Sequence, residues 1–451
     1  LGWFDIFSDS NMIDILSSGL VSLWLEMAGV EQAGLNGSFG KNLETELSQL
    51  VFPQQPDPMA EAVVQQYLNR LSTKGLSPNV QGVWLQSSWV PLAKNSETTP
   101  LPAASLTKVA TSLASLQVWP PEHRFETILG VTGPIVGGVV QGDLVITGNG
   151  DPFFIWEEAI ALGNTLNQMG IRGVAGNLII SDRFYMNYEV ELLKVGELLK
   201  QAFNSSSWTE EIIYQHSQMT PGTVKPQIVI SGSVIPQAGA VNSTPIIRHQ
   251  SLALVEIIKQ MNIYSNNPMA EILAANVGGA ASVRQLASQA AGVPIDEIRL
   301  INGSGLEPEN QISPRAAVGM FMALARSLQD TNLTIADLFP IAGIDTQGTL
   351  EDRKIPAYSP VKTGTLFDVS ALAGVVPTRD RGLVWFAIIN RGTDLDGLRA
   401  DQDLLLQQLV NQWGSPDTLP ELIQPHIDGR RPGIGDPNRN QILVQTVAPS
   451  S

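Results

Sequence analysis

"LPAASLTKVATSLASL", residues 101–116, sets a lysine three places after a serine at the start of an apolar run. On a helix, positions i and i+3 share a face, so Ser105 and Lys108 would be neighbours there. Leu106, Val109, Ala110, Leu113 and Leu116 follow at helical spacing. The pair alone has two readings. One is an N-cap serine beside a snorkelling lysine. The other is a nucleophile with its base.

The helix start gives the second reading a chemical use. A hydroxyl there lies near unpaired N–H groups and a partial positive charge. Such donors stabilise an oxyanion formed when a serine attacks a carbonyl, and losing one raises the barrier by about 2.7–4 kcal/mol. Serine is a poor nucleophile until its proton is removed. Lys108 can remove it only if burial or nearby positive charge lowers its pKa. Ser-x-x-Lys occurs three times, at Ser38–Lys41, Ser105–Lys108 and Ser359–Lys362, and chance explains most such matches. Ser38 lies in a Gly-rich stretch with no helical run behind it. Lys362 sits in "SPVKTGTL", which reads as a strand and turn. Ser105 alone opens an apolar helix.

Composition removes whole classes of function. The 451 residues carry 43 acidic and 27 basic side chains, a formal charge of -16. That disfavours a nucleic-acid partner, which calls for clustered Lys and Arg. Hydrophobic content of 43% with 16% charged residues is that of a folded chain, long enough for two or three domains. Cysteine is absent, which excludes thiol catalysis, disulfides and Cys-based zinc sites. The four histidines, His123, His216, His249 and His426, are far apart and lack zinc-hydrolase spacing. No Gly-x-Ser-x-Gly nucleophile elbow is found.

Residues 11–30, "NMIDILSSGLVSLWLEMAGV", are mostly apolar, interrupted by Asp14 and Glu26. The uninterrupted apolar core is too short to span a bilayer comfortably. No Lys or Arg precedes Lys41, so the basic region of a signal peptide is missing. Two readings stand: an amphipathic helix packed on the domain, or an interfacial segment that contacts a membrane surface or remains from an atypical export signal.

The rest divides by texture. "PMAEAVVQQYLNRLSTK" (58–74) predicts an amphipathic helix stopping at Gly75, and "NVQGVWLQ" a strand. From about 125 to 245, short Gly-broken strands ("FETILGVTG", "GVVQGDLVITG", "GNLIISD") surround the helix "WEEAIALGNTLNQMG". This predicts a smaller α+β domain, 125–245, inserted into a main domain formed by 58–124 and 246–413. Helical periodicity returns over 250–278 and 314–328. "SALAGVVPTR" and "GLVWFAIINRG" predict a core hairpin, and about 395–413 the last helix. Residues 1–57 form an N-terminal helix and linker, and 414–451 a Pro/Gly-rich tail without its own core.

Two further motifs bear on Ser105. "YSNNPMAE" holds Ser265 and Asn267 before another helix, and "VKTGTL" holds Lys362, Thr363, Gly364 and Thr365. Singly, the first reads as a helix cap and the second as a strand end. The order Ser-x-x-Lys, Ser-x-Asn, Lys-Thr-Gly is the signature of penicillin-binding proteins and class A β-lactamases. From about 60 to 412 the chain resembles the low-molecular-mass penicillin-binding proteins of the D-Ala-D-Ala carboxypeptidase and endopeptidase type, peptidase family S13. "TGNGDPFF", "GIRGVAGNLIISDRFYM", "INGSGLEPENQISP" and "FPIAGIDTQGTLEDR" look like stretches typical of that family. Ser105 and Ser265 lie 160 residues apart, room for the family's inserted domain and more than class A β-lactamases allow.

The resemblance implies an α+β serine transpeptidase/β-lactamase-like fold, an antiparallel sheet flanked by helices, with the insertion. It implies acyl transfer on peptidoglycan stem peptides ending in D-Ala-D-Ala, β-lactams as covalent inhibitors, no cofactor, no metal, and a place in the periplasm or cell envelope. Ser105 would attack the penultimate carbonyl and Lys108 take its proton. Ser265 would relay a proton to the leaving amine, and the Asn267 amide would hold the acyl side. Lys362 would supply positive charge near Ser265 and the terminal carboxylate. Thr363, Gly364 and Thr365 would form the substrate-binding strand, the Thr365 hydroxyl on the carboxylate and the N–H groups of Ser105 and Thr365 as the oxyanion hole.

Three places depart from the family pattern: Asn266 and Asn302 stand where Asp is usual, and 186–212 lacks the usual Gly-Trp-rich acidic stretch, leaving side-chain preference open. The expectation is a serine-type D-Ala-D-Ala carboxypeptidase with DD-endopeptidase activity. A catalytically silent muropeptide-binding envelope protein and a β-lactamase are the alternatives. The envelope expectation requires that the sequence begin after processing or that export be atypical.

Overall fold

The structure, a computed structural model, describes residues 56–88, 90–427 and 433–444; the apolar segment 11–30 lies outside them. The Asp57 carboxylate accepts the N–H groups of Met59 and Ala60, and Pro58 fills a first-turn position where an N–H has no intrahelical partner. Helix α1 (Pro58–Thr73) follows. Strands β1 (Gln81–Ser87) and β2 (Val90–Asn95) come next, then a 3-10 turn over Ala104–Leu106 leading into α2 (Thr107–Val118). The middle of the chain contributes β3 (Glu126–Val131), β4 (Leu144–Asn149), α3 (Trp156–Gln168), β5 (Leu178–Arg183), α4 (Leu192–Phe203), α5 (Glu210–Gln218), β6 (Val234–Gln237) and β7 (Thr244–Gln250). Helices α6 (Leu254–Tyr264), α7 (Asn267–Asn276), α8 (Ala280–Ala291) and α9 (Pro314–Ser327) precede β8 (Val361–Leu366), β9 (Val369–Thr378) and β10 (Gly382–Arg391). Helix α10 (Leu395–Trp413) and the short β11 (Asn440–Ile442) complete the order.

The sheet that positions the site is antiparallel, in the order β8-β9-β10-β1-β2. Alternation along its strands feeds two cores. Ala371, Ala373, Val375, Ala387 and Ile389 join Leu106, Val109 and Leu113 of the α2 region and Val318 and Phe321 of α9. Leu372, Val376, Phe386 and Ile388 join Val64, Tyr67 and Leu71 of α1 and Leu398, Leu405 and Leu409 of α10. β9 is buried along its whole length, as a central strand covered on both faces must be. Each fully buried Leu, Ile or Phe contributes about 1.5–3 kcal/mol. On the α2 side the sheet presents alanines, and that lets the Ser105 turn come close.

The second large sheet runs β6-β5-β4-β3-β7-β11, with β6, β5 and β4 parallel and the remaining pairs antiparallel. A separate core, including Leu129, Ile146, Ile160, Leu166, Ile180, Val195 and Leu199, lies beneath it. The helical periodicity over 250–278 belongs to two helices that meet at Ser265, whose φ is +52°, the second starting where a cap before another helix is expected. Two features differ from expectation. The boundary expected at 245 falls inside β7, which stays paired with β3 as far as Gln250. And the segment expected as a tail is held by the cores of others: Ile423 is buried with residues of α2 and α9, and β11 pairs with β7.

Candidate active site

Ser105 sits in the 3-10 turn at the head of α2, immediately after Ala104, which adopts φ +48°. A left-handed non-glycine residue is strained, and here it turns the chain so that Ser105 heads the helix. Two close approaches lock the turn. A Cβ on Gly364 of β8 would lie 2.8 Å from the Ala103 carbonyl oxygen and 3.1 Å from the Ser105 nitrogen. Gly305 has φ +81°, and a Cβ there would lie 1.9 Å from the Ala104 carbonyl oxygen. Only glycine fits at either position.

One turn on from Ser105, at the start of α2, Lys108 is fully buried. Its Nζ donates to Ser105 Oγ at 3.0 Å, to Asn267 Oδ1 at 2.6 Å and to the Ser304 carbonyl at 2.8 Å. Burial lowers its pKa to about 7, against the opposing effect of the Glu271 carboxylate. A neutral amine has two N–H donors and one lone pair. The carbonyls of Ser304 and Asn267 engage the donors, which leaves the lone pair facing the Ser105 hydroxyl.

Ser265 caps the C-terminus of α6, and Asn266 then caps α7 by accepting the Met269 N–H at 3.0 Å. Asn performs that task as well as Asp, so the departure at 266 leaves the local structure intact. Lys362 of β8, also fully buried, donates to Ser265 Oγ at 2.9 Å and to the Thr363 carbonyl at 2.9 Å. Its pKa is held well below the ordinary value by burial and by Lys108 nearby. Ser105, Lys108 and Asn267 thus form one hydrogen-bonded group and Ser265 and Lys362 a second, close enough for Lys108 to depress the pKa of Lys362. Thr363, Gly364 and Thr365 lie along its edge on β8, and the Thr365 hydroxyl accepts from Arg399 at 3.2 Å.

Burial of a lysine does not by itself define this site. Lys259 is as buried, yet its Nζ donates to the carbonyls of Ala336 and Phe339 and pairs with Asp345 at 3.1 Å. Among the described residues it has no hydroxyl partner.

Two participants were not singled out from the sequence. The Glu271 carboxylate accepts the N–H groups of Gly303 at 3.1 Å and Ser304 at 2.8 Å, and so fixes the carbonyl that holds Lys108. Its place four residues after Asn267 puts both on one helix face, which was the available signal. Ser304 acts through its backbone, for which no residue letter exists. Asn302, the second departure, accepts the Gly305 N–H at 2.9 Å and donates to Glu307, pinning the loop against Ala104. Much of the unassigned stretch 186–212 folds as α4 and the start of α5. Among the described residues, no group of three or more His, Asp or Glu side chains is placed to hold a metal.

A serine hydroxyl beside a buried amine, set between an antiparallel sheet and helices, defines a serine-type hydrolase with the penicillin-recognising fold. The family model described as "D-Ala-D-Ala carboxypeptidase 3 (S13) family" matches residues 64–191 and 209–411, and the chain belongs to that family. It is 30% identical over 181 residues to a carboxypeptidase of Mycolicibacterium smegmatis, covering 36% of this chain and 39% of that protein. Among solved structures, a predatory endopeptidase of Bdellovibrio bacteriovorus, acylated by penicillin G and bound to its immunity protein, superposes with a TM-score of 0.65. It is 21% identical, with 76% of this chain and 95% of that chain covered. Penicillin-binding protein 4 of Haemophilus influenzae gives a TM-score of 0.58 at 19% identity, covering 77% and 99% respectively.

Proposed function

We propose that the protein is a serine-type D-Ala-D-Ala carboxypeptidase with DD-endopeptidase activity on peptidoglycan stem peptides, working through an acyl-enzyme on Ser105. The observation that carries this reading is the Lys108 amine, 3.0 Å from the Ser105 hydroxyl and shifted by burial to about 7. Lys108 takes the Ser105 proton as Oγ attacks the penultimate D-Ala carbonyl. The C–N bond then breaks, and Ser265, hydrogen-bonded to Lys362, passes a proton to the leaving amine. Asn267 holds the acyl side of the substrate as well as Lys108. Thr363, Gly364 and Thr365 form the strand along which the substrate lies, with the N–H groups of Ser105 and Thr365 on the oxyanion. Water then cleaves the ester.

Membership of the S13 family and the likeness to a penicillin-acylated endopeptidase support this reading. β-Lactams, whose strained amide presents a carbonyl to the same serine, are the expected covalent inhibitors. Cross-linked peptidoglycan lies in the cell envelope, and so the protein works there, in the periplasm or at the outer face of the membrane. Among the described residues no helix is long and apolar enough to cross a membrane. We infer further that residues 11–30 make peripheral contact with a membrane surface; deleting 1–40 and measuring binding to anionic vesicles tests it.

The test of the chemistry is the intact mass after incubation with benzylpenicillin, followed by peptide mapping. An adduct on the Ser105 peptide that is absent in Ser105→Ala is expected. A folded protein that takes no adduct at high penicillin concentration would sink the acyl-enzyme and favour a silent muropeptide-binding protein. Rapid turnover of the drug would identify a β-lactamase instead.

A further inference from the structure

Along β8 the side chains alternate. Lys362 turns inward to Ser265, whereas Thr363 and Thr365 line a cleft of about 730 Å3. Its other walls are the 349–354 loop and the first turns of α10, which bring in Arg353, Lys354, Arg399 and Ala400. A cleft of this size falls in the range of about 300–1,000 Å3 that accommodates drug-sized ligands. A single terminal alanine fills a small part of it.

The cations of the cleft are not equivalent. Arg353 is committed: it makes a two-point pair with Asp403, closest at 2.7 Å, and both side chains are 8% exposed. Arg399 is free to exchange. It donates to the Thr365 hydroxyl at 3.2 Å, and its ion-pair partner Asp396, at 3.0 Å, is 94% exposed. A pair so open to water is weak. Lys354 is exposed, and its ammonium has no ion pair among the described residues. An exchangeable guanidinium therefore stands on a threonine at the rim of the reacting constellation, with a free ammonium in the same cleft.

The geometry points to this cleft as the seat of the amine leaving group, with Arg399 as the residue that recognises its carboxylate. The inference rests on the reading that Ser105 is acylated beside β8. When Ser105 Oγ forms the ester C–O bond, the C–N bond breaks and the nitrogen departs with a proton delivered through Ser265. In a D-Ala-D-Ala end and in a cross-link to diaminopimelate alike, the carbon bearing that nitrogen carries a carboxylate. Arg399 meets this group bidentately, as guanidinium does, and touches no reacting atom. The space beyond it, past Ala400 and Lys354, receives the rest of a cross-linked stem peptide.

The experiment compares kcat/KM ratios on three probes: a stem peptide ending in D-Ala-D-Ala, the same peptide with its C-terminus amidated, and a cross-linked stem-peptide dimer. For Arg399→Ala, the preference for free carboxylate over amide is expected to fall on the order of tenfold or more. A merely structural residue would lower both rates together. For Ala400→Trp, which fills the cleft from an exposed helix position, the ratio of dimer to monomer turnover is expected to fall by a similar factor. Far-UV circular dichroism and the thermal midpoint of each variant establish that the fold is intact. Folded variants with both ratios unchanged overturn the cleft assignment alone. A wild-type protein that takes no penicillin and cleaves no probe overturns the active-site reading, and the cleft assignment with it.

Discussion

At the scale of the residue, the site depends on a lysine that is neutral near physiological pH. Lys108 must lose its proton to act as a base, so kcat/KM is expected to rise as pH rises through about 7 and then to level. A limb near 10, where an ordinary lysine titrates, would remove Lys108 from the role. Glu271 refines the prediction. Its negative charge favours protonated Lys108, so Glu271→Gln is expected to move the limb to lower pH. Losing the charge-assisted bonds to Gly303 and Ser304 would also cost about 1.5–3 kcal/mol, seen as a lower kcat. An unmoved limb would mean that the carboxylate does not govern Lys108. The proximity of Ser105 and Lys108 was legible because i,i+3 spacing is a local rule. The third acceptor of Lys108 was not, since the Ser304 carbonyl is brought there by a loop from 196 residues further along the chain.

At the scale of the element, the decisive contact is β8 against the Ser105 turn. Gly364→Ala places a methyl 2.8 Å from the Ala103 carbonyl oxygen, and strand or turn must retreat. A displacement of about 1 Å at a reacting group can cost on the order of 100-fold, so penicillin acylation of Ser105 is expected to slow by about that factor. Overpacking of this kind lowers stability by only about 1–3 kcal/mol. Time-resolved intact mass and a denaturant titration on the same variant separate the two effects. Wild-type acylation would show that the close approach is dispensable. The elements were legible where pattern was long: the core hairpin of β9 and β10 and the helix over 395–413 follow from continuous apolar runs and helical periodicity. α4 carries its own signal, Leu192, Val195, Leu199 and Phe203 at helical spacing, in a stretch that the family motifs leave unassigned. The break at Ser265 was legible only in "YSNNPMAE", which reads as a cap before another helix; the apolar periodicity on either side runs on as if through one helix.

At the scale of the whole molecule, the segment after α10 ties the two sheets. Ile423 is buried with residues of α2 and α9, and β11 closes the edge of the other sheet at β7. Between these points Arg439 pairs with Glu158 and donates to the Gln250 carbonyl at 2.9 Å. The two side chains are 11% and 2% exposed. Arg439→Ala leaves the buried Glu158 charge with only the Gly435 N–H and the His249 ring beside it, no ordinary cation, so a loss of about 3–5 kcal/mol is expected, read from the denaturant midpoint. Ser105 acylation of the folded variant should keep its wild-type rate. A loss below about 1 kcal/mol would mean that Glu158 finds another partner or a proton. Three residues of strand among prolines and glycines are too few to show alternation, so β11 could not be read in advance. Both sheets draw on distant parts of the chain: Gln81 of β1 pairs with Asn390 of β10, and Ile247 of β7 with Ile442. A ribosome adds about 5–20 residues per second, so β1 waits roughly 15–60 s for its inner neighbour. During that interval its open edge is a template for any other strand. The fold is completed from its C-terminal end, and until then the nascent chain depends on something else to cover it.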